Sequence, residues 1–597
     1  MPSYTAPLDH IRFILNDVLK VQDTLSQLPG CSEATPETVD AILEGAATVC
    51  QEVLFPINQS GDKEGCTYSN GTVTTPKGFK EAYKTFIEGG WTSLPCDPAY
   101  GGMGMPHVLN CVMQEMICSA NMSFGMYPGL SHGAYEALHQ FATDELKATY
   151  LPKIVTGEWS GTMNLTEPHA GTDLGLIKTK AVPQADGSYA VSGQKIFISA
   201  GEHDLTSNII HLVLARLPDA PEGVKGISLF VVPKFLVNAD GSIGARNTLQ
   251  CASIEHKMGI KASATCVMVY EGAKGWLVGE PNKGLKAMFA MMNAARLGVA
   301  MQGLGIAEVA QQNAVAYAKD RLQMRSLDGV KAPEKPADPI IVHPDVRRML
   351  LTGKAFCEGS RMLSYLVGLS LDIAQLHPDE AERQEAEDFV ALMTPIIKAY
   401  QTDMGTAVAN LAMQVHGGMG YIWDTGIEQY ARDARIAEIY EGTNGIQALD
   451  LVGRKMGVGY GRLLRRFFHP VSQFIEAEMD NDAMAEFVLP LTKAVAKLQQ
   501  ATATIAQKGL KDPLEAGAAS SDYLRMFALT ALAFCWARIA KVALEKRETD
   551  AGRKEFYDGE LATARFFMTR MLPEYESRFR MVMAGKGPLM ELQASGF

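Results

Sequence analysis

The period of the hydrophobic pattern changes along these 597 residues, and that change limits the fold more than any other feature. From Asp9 to about Gly157 apolar residues recur at helical spacing, as in Ile11, Ile14, Leu15, Val18 and Leu19. Gly101-Gly102-Met103-Gly104-Met105-Pro106 interrupts this stretch and reads as a loop. From about Met163 to Leu277 the runs become short, β-branched and bounded by turns. Ser188–Val191 follows Asp186-Gly187, Ile209–Leu214 and Ile227–Val232 are further runs, and Asp240-Gly241 marks another turn. No long helical pattern interrupts that region, so its sheets are expected to be antiparallel. From Lys283 helical spacing returns. Pro344-Asp345 opens a long helix with Val346, Met349, Leu350, Phe356 and Leu363 on one face. The glycine-rich Gly457-Val458-Gly459-Tyr460-Gly461 then separates a last helical region.

The order predicts four parts: an N-terminal helical domain over 1–162, a central β domain over 163–280, a helical bundle over 281–456 and an additional helical domain over 457–597. So long a chain needs more than one core. The fold class is mainly α with a central antiparallel β-barrel or sandwich.

Composition excludes several functions. A net charge of -12 with no basic run argues against a nucleic-acid partner. The densest cationic cluster, Arg462, Arg465 and Arg466, reads as a solvated helix face. Ten cysteines without C-x-x-C spacing read as buried thiols of a reduced, cytoplasmic protein, with no zinc site expected. The first residues show no basic region leading into an apolar core, so no secretory signal is expected. The most apolar stretch, Ala287 to Ala310, carries Asn293, Arg296, Gln302 and Glu308, so it reads as a buried helix and no transmembrane segment is expected. No G-x-G-x-x-G follows a strand and opens a helix, which disfavours a nicotinamide site; Walker-type and H-E-x-x-H motifs are missing too.

Three segments carry chemistry. Met163 to Asp173 includes Thr166-Glu167-Pro168-His169-Ala170-Gly171-Thr172, where Pro168 and Gly171 turn the chain and two threonines offer hydroxyls. Gly193 to Gly201 reads as a strand presenting Phe197 and Ser199 to one side. Ala431 to Gln447 reads as a helix ending near Tyr440, then a short loop with Glu441, then a helix capped by Thr443 or Asn444. Taken singly, these are a turn, an ordinary strand and a solvated carboxylate.

Together they resemble the acyl-CoA dehydrogenase family. The T-E-P-x-A-G-[ST]-D, G-Q-K-x-x-I-[ST] and I-Y-E-G-T-N patterns stand here in family order, joined by Tyr317-Ala318-Lys319-Asp320-Arg321 and Gln414-Val415-His416-Gly417-Gly418. The resemblance runs from about Gln51 to Met456, and the C-terminal extension is similar to that of the family's larger members. It implies a four-helix bundle after the β domain, FAD as cofactor and Glu441 as catalytic base. Leu165, Thr166, Phe197 and Ser199 are expected to line the flavin, with Gly171 and Thr172 near cofactor or CoA phosphates. Arg321 is expected at the FAD pyrophosphate, from a neighbouring subunit. Gln414, Gly417 and Gly418 are expected at the adenosine half, and Thr443 at FAD. Arg296, Tyr440 and Gly442 are assigned to the substrate side. The implied partners are an acyl-CoA, an electron-transfer flavoprotein and a second copy in a homodimer, with a tetramer open. Phe197 stands where many relatives have tryptophan, His169 where glycine is common, and Met324 where phenylalanine is usual. An oxidase handing electrons to oxygen and a non-catalytic acyl-CoA-binding protein remain alternatives on the same fold.

Overall fold

The computed structural model describes residues 2–597, which fall into two compact units. One comprises Met1–Glu44, Pro106–Glu115 and Val299–Phe597; the other comprises Gly45–Met105 and Met116–Gly298.

The second unit holds every strand among the described residues. A hairpin of β1 (Thr67–Ser69) and β2 (Thr72–Thr74) lies in a stretch expected to be helical. Its turn is Asn70-Gly71, both at positive φ, the geometry that matches the twist of a two-residue hairpin. The main sheet is built from β3 (Trp159–Asn164), β4 (Lys180–Pro183), β5 (Tyr189–Ser199), β6 (Asn208–Arg216), β7 (Ile227–Pro233), β10 (Leu249–Ile254) and β11 (Thr265–Val278). A small pair, β8 (Phe235–Val237) and β9 (Ile243–Arg246), stands apart. Strands β11, β5, β4, β6 and β7 pair in succession and β7 returns to β11, closing a ring, with β10 added beside β11 and β3 beside β6. The expectation of purely antiparallel pairing needs one correction: β3 runs parallel to β6 from Trp159↔Asn208 to Asn164↔Val213, and β4 meets β6 in parallel at Lys180↔Arg216. Neither pair is joined by a hairpin, so antiparallel order is not imposed there.

The long apolar runs of β6 and β7 have a simple cause. Phe230, Val232, Val213 and Ala215 join one core cluster, with Ala181, Val191 and Tyr270. Their alternates Ile210, Leu212, Leu214, Leu229 and Val231 join another, with Ala134, Leu138, Leu151 and Met288 from helices. Both faces of these strands are covered, so alternation disappears from the sequence.

The first unit is helical. Pro344–Leu376 and Glu380–His416 pack side by side, and Asp379 caps the second by accepting from Ala381 N at 2.7 Å. Gly303 lets the helix Gly284–Asp320 cross Glu380–His416 at backbone distance, since a Cβ there would lie 2.3 Å from Gln401 O. The C-terminal region is organised by Pro513–Thr549. This helix alone among the described residues is long and apolar enough to cross a membrane, with mean hydropathy 1.6, but 78% of that window is buried in the protein. Its Trp536 donates to Ala355 O at 3.1 Å against Gly359, so it serves as a core helix packed on Pro344–Leu376. Arg462 and Arg466, read as a solvated face, instead bridge Asp388 at 2.8 Å and Glu385 at 2.6 Å.

A buried ionic cluster centres on Arg361, which donates to Glu115, to Glu308 at 2.7 Å and to His10 Nδ1 at 3.0 Å. His10, Glu358 and Glu560 bring candidate ligand atoms within 4.8 Å of one another. Because Arg361 donates into Nδ1, the neutral ring carries its proton on Nε2, which faces Glu560 Oε2 at 3.4 Å. That tautomer offers no lone pair to a metal, and the group reads as an ionic network.

Candidate active site

Glu441 occupies the short connection between the helix Glu428–Arg435, extended by a 3-10 turn to Glu438, and the helix Asn444–Asp450. Its φ is +57°, a left-handed conformation that disfavours any side chain, and Gly442 follows at +83°. Such a conformation persists only where the surroundings over-determine it. Here Gln447 Nε2 donates to Glu441 O at 3.1 Å and to Gly442 O at 2.9 Å. Lys398, fully buried in Glu380–His416, donates to Gly442 O at 3.0 Å and to Asn444 Oδ1 at 2.9 Å. Asn444 Nδ2 donates to Ala399 O at 3.1 Å and Asp403 Oδ1 at 2.6 Å, and burial raises the Asp403 pKa. Tyr440 OH donates to Gln302 Oε1. Thr443 stands at the N-cap position but makes no side-chain cap bond, so the expected cap is replaced by this clamp from the neighbouring helix.

The β-domain residues form a second constellation. Glu167 and Ala170 exchange both backbone hydrogen bonds, at 2.9 and 3.0 Å, closing a tight turn that leaves Gly171 and Thr172 exposed. Lys195 is fully buried and donates to Glu167 Oε1 at 2.8 Å and Leu165 O at 3.0 Å. Burial lowers the Lys195 pKa to about 8 against the pull of Glu167. Burial opposes the charge of Glu167 as well, yet Lys195, Thr179 and the Lys178 amide hold its carboxyl below the usual range. Ile196 N donates to Thr166 O at 2.9 Å, which ties the turn to β5.

On β5 the register slips between the pairs Lys195↔Met268 and Ile198↔Cys266, placing Ile196 and Phe197 opposite one residue. This bulge holds Phe197 at φ +60° and leaves the residue 58% exposed, while Leu165, Thr166 and Ser199 are half-buried. An aromatic ring turned out of a sheet beside threonine and serine hydroxyls fits a flat heteroaromatic group with polar edges. Arg296 lies in the same unit, 7% exposed, with Nη1 3.4 Å from Asn293 Oδ1.

The remaining expected residues gather in the helical unit. Arg321 follows the helix Gly284–Asp320 and is exposed, and Gln414 lies exposed in the last turn of Glu380–His416. Tyr317 stacks on His416 with centroids 4.3 Å apart, tying those two helix ends together. Gly417, at φ +60°, and Gly418 have nothing within 4 Å of where a Cβ would sit, so their backbone is open to close approach. Met324, one of the unusual positions, is 75% exposed.

Lys398, Gln447 and Gln302 are not among the residues expected from sequence. A signal existed for the first: Lys398 stands in Pro395-Ile396-Ile397-Lys398-Ala399-Tyr400, an apolar run in which a lysine needs partners.

Comparison with known proteins gives four matches along the chain. They are the acyl-CoA dehydrogenase N-terminal domain over residues 36–158, the middle domain over 162–273, the C-terminal domain over 282–456, and an acetyl-CoA dehydrogenase C-terminal-like segment over 467–593. The chain is 45% identical to a 3-methylmercaptopropionyl-CoA dehydrogenase of Ruegeria pomeroyi over 96% of each chain. It is 35% identical to a butyryl-CoA dehydrogenase of Syntrophomonas wolfei over 96% of this chain and 95% of that one. A solved acyl-CoA dehydrogenase from Bacillus anthracis, complexed with FAD, superposes with a TM-score of 0.73 over 94% of this chain and 90% of its own at 21% identity, a likeness of fold. The chain therefore belongs to the acyl-CoA dehydrogenase family, enzymes that oxidise acyl-CoA thioesters.

Proposed function

We propose that this enzyme converts 3-(methylthio)propanoyl-CoA to its 3-(methylthio)acryloyl-CoA counterpart, with Glu441 as base and FAD as cofactor. The substrate reading is supported by the 45% identity, over 96% of both chains, to the Ruegeria pomeroyi enzyme. The base assignment rests on one observation: Glu441 is held at φ +57° by hydrogen bonds to the carbonyls of its own loop. A surface carboxylate needs no such restraint.

A proton next to a thioester carbonyl is too weakly acidic for an ordinary carboxylate. The carbonyl oxygen needs donors that strengthen as enolate charge develops, and the resemblance assigns one to the Glu441 amide. The carboxylate also needs a site from which water is excluded once the acyl chain is seated, which raises its proton affinity. Glu441 would take the α proton at a carboxylate oxygen. Bound flavin supplies the acceptor for the β hydrogen, removed as hydride. Phe197, Leu165, Thr166 and Ser199 would hold the ring, Gly171 and Thr172 nearby phosphates, and Arg321, Gln414, Gly417, Gly418 and Thr443 the rest of the cofactor. Arg296, Tyr440 and Gly442 would face the substrate side.

The reading extends to an electron-transfer flavoprotein as oxidant, a homodimer and a cytoplasmic location. Likeness to the Syntrophomonas wolfei butyryl-CoA dehydrogenase favours one second reading, a simple short-chain acyl-CoA as substrate. Anaerobic bleaching of the purified yellow protein by a panel of acyl-CoAs that includes the methylthio thioester separates the two. Fastest bleaching by the methylthio compound is expected. Faster bleaching by butyryl-CoA would overturn the substrate, and no bleaching by any thioester would overturn the reaction. Peroxide release during turnover would mark an oxidase.

A further inference from the structure

The helix Pro513–Thr549 carries five basic residues, and four have carboxylate partners. Arg525 bridges Glu574 at 3.0 Å, Lys541 bridges Glu478, Lys546 bridges Asp17 at 2.6 Å, and Arg547 bridges Asp558 at 2.7 Å. Arg538 has none among the described residues. Its Nη2 reaches Val18 O at a long 3.4 Å, and its guanidinium lies 5.7 Å from the Phe534 ring centroid. Burial lowers its pKa. The side chain is half-buried, so its guanidinium has given up part of its water without gaining an anion.

Arg538 lines a cavity of about 790 Å³, a volume suited to a small ligand. The N-terminal segment supplies one wall and the C-terminal region the other. Val18, Val39, Leu43, Phe474 and Val542 contribute apolar surface. Lys20, exposed and held at φ +51°, also opens onto it and forms no ion pair among the described residues. Of the lining carboxylates, Asp17 and Asp40 are taken by Lys546 and Arg12, while Asp23 and Glu545 are exposed. Two unclaimed cations against two exposed carboxylates disfavour a multiply charged anion. They leave room for one negative head on the half-buried Arg538, with an apolar body along the wall.

We propose that this cavity binds a small amphipathic monocarboxylate whose head pairs with Arg538. The site belongs to the N-terminal segment and the C-terminal extension, not to the residues assigned to flavin and thioester, so it is a second ligand site on the enzyme.

The test is calorimetric titration of the flavin-loaded protein with octanoate, while the flavin absorbance spectrum reports any entry into the acyl site. Expected is a saturable event that leaves the flavin spectrum unchanged. Arg538→Met should weaken it at least about tenfold, as loss of a charge-assisted contact does, and Arg538→Lys should weaken it less. Octanol, the neutral counterpart, should bind at least about tenfold more weakly, and inorganic phosphate should not compete. Should Arg538→Met fail to fold, Val542→Trp, which fills the cavity from its apolar wall, should abolish the event. Octanoate binding only with a flavin spectral change, equal affinity in Arg538→Met, equal affinity for octanol, or unaltered binding in Val542→Trp would each overturn the proposal.

Discussion

Lys398→Met removes the ammonium that holds the Glu441 loop without changing side-chain length much. The native group makes two charge-assisted bonds, to Gly442 O at 3.0 Å and Asn444 Oδ1 at 2.9 Å, from a fully buried position. Each such bond contributes about 1.5–3 kcal/mol, but the desolvation of a buried lysine offsets much of that. Net stability should therefore change by only about 1–2 kcal/mol, read as a small shift of the unfolding midpoint. The catalytic effect should be larger. Holding Glu441 left-handed costs about 1–2 kcal/mol, so a loop with half its clamp gone has a reason to relax. A displacement of about 1 Å at a reacting group costs roughly 10²-fold in rate. Anaerobic stopped-flow should show the limiting rate of flavin reduction falling about 10- to 10²-fold, with the substrate concentration for half-saturation little changed. The pattern separates positioning from general damage, because a loosened fold would lose flavin and affinity as well. A folded, yellow Lys398→Met protein reduced at the native rate would refute the reasoning.

Other outcomes follow from the same geometry. Glu441→Gln should keep its flavin and lose about 10³-fold in reduction rate, measured by anaerobic bleaching, since a positioned base contributes roughly 10²–10⁴. Glu167→Gln should destabilise the β domain by about 3–5 kcal/mol, seen in urea unfolding, because it strands the buried Lys195 ammonium. Gly303→Ala should destabilise the helical unit by about 1–3 kcal/mol in the same assay, as its Cβ would meet Gln401 O at 2.3 Å. His203 and His211 are buried, and desolvation lowers both to about 3, while the unfolded chain protonates near the ordinary 6.5. Between those values the unfolded state binds more protons, so stability falls as pH drops through the window, by up to about 1.4 kcal/mol per pH unit per histidine. Urea midpoints at pH 7 and pH 5 should differ accordingly, and His211→Gln should flatten the difference; equal slopes in that variant would count against the assignment.

What could be read from the chain is what local order writes into it. The helix–sheet–helix succession was legible, and the three candidate segments could be singled out, because each is carried by neighbouring residues, as in Ile439-Tyr440-Glu441-Gly442-Thr443-Asn444. The hairpin at Asn70-Gly71 was also legible, as an Asn-Gly turn flanked by Thr67, Tyr68, Val73 and Thr74, though short strands in a helical stretch carry little weight. The supports were not. The Phe197 bulge exists only relative to the opposite strand, and Lys398 meets Gly442 across 44 residues. Arg538 looks in sequence like the other four basic residues of its helix, and only the three-dimensional pairing shows that, among the described residues, it alone of the five lacks a carboxylate. The division has a physical reason: a reacting group and the chain reversal that presents it can be contiguous, whereas restraint must come from an element that the loop does not carry with it. Glu441 makes the point directly, because its left-handed backbone stays put through an amide six residues on and through the loop's attachment to a lysine on another helix.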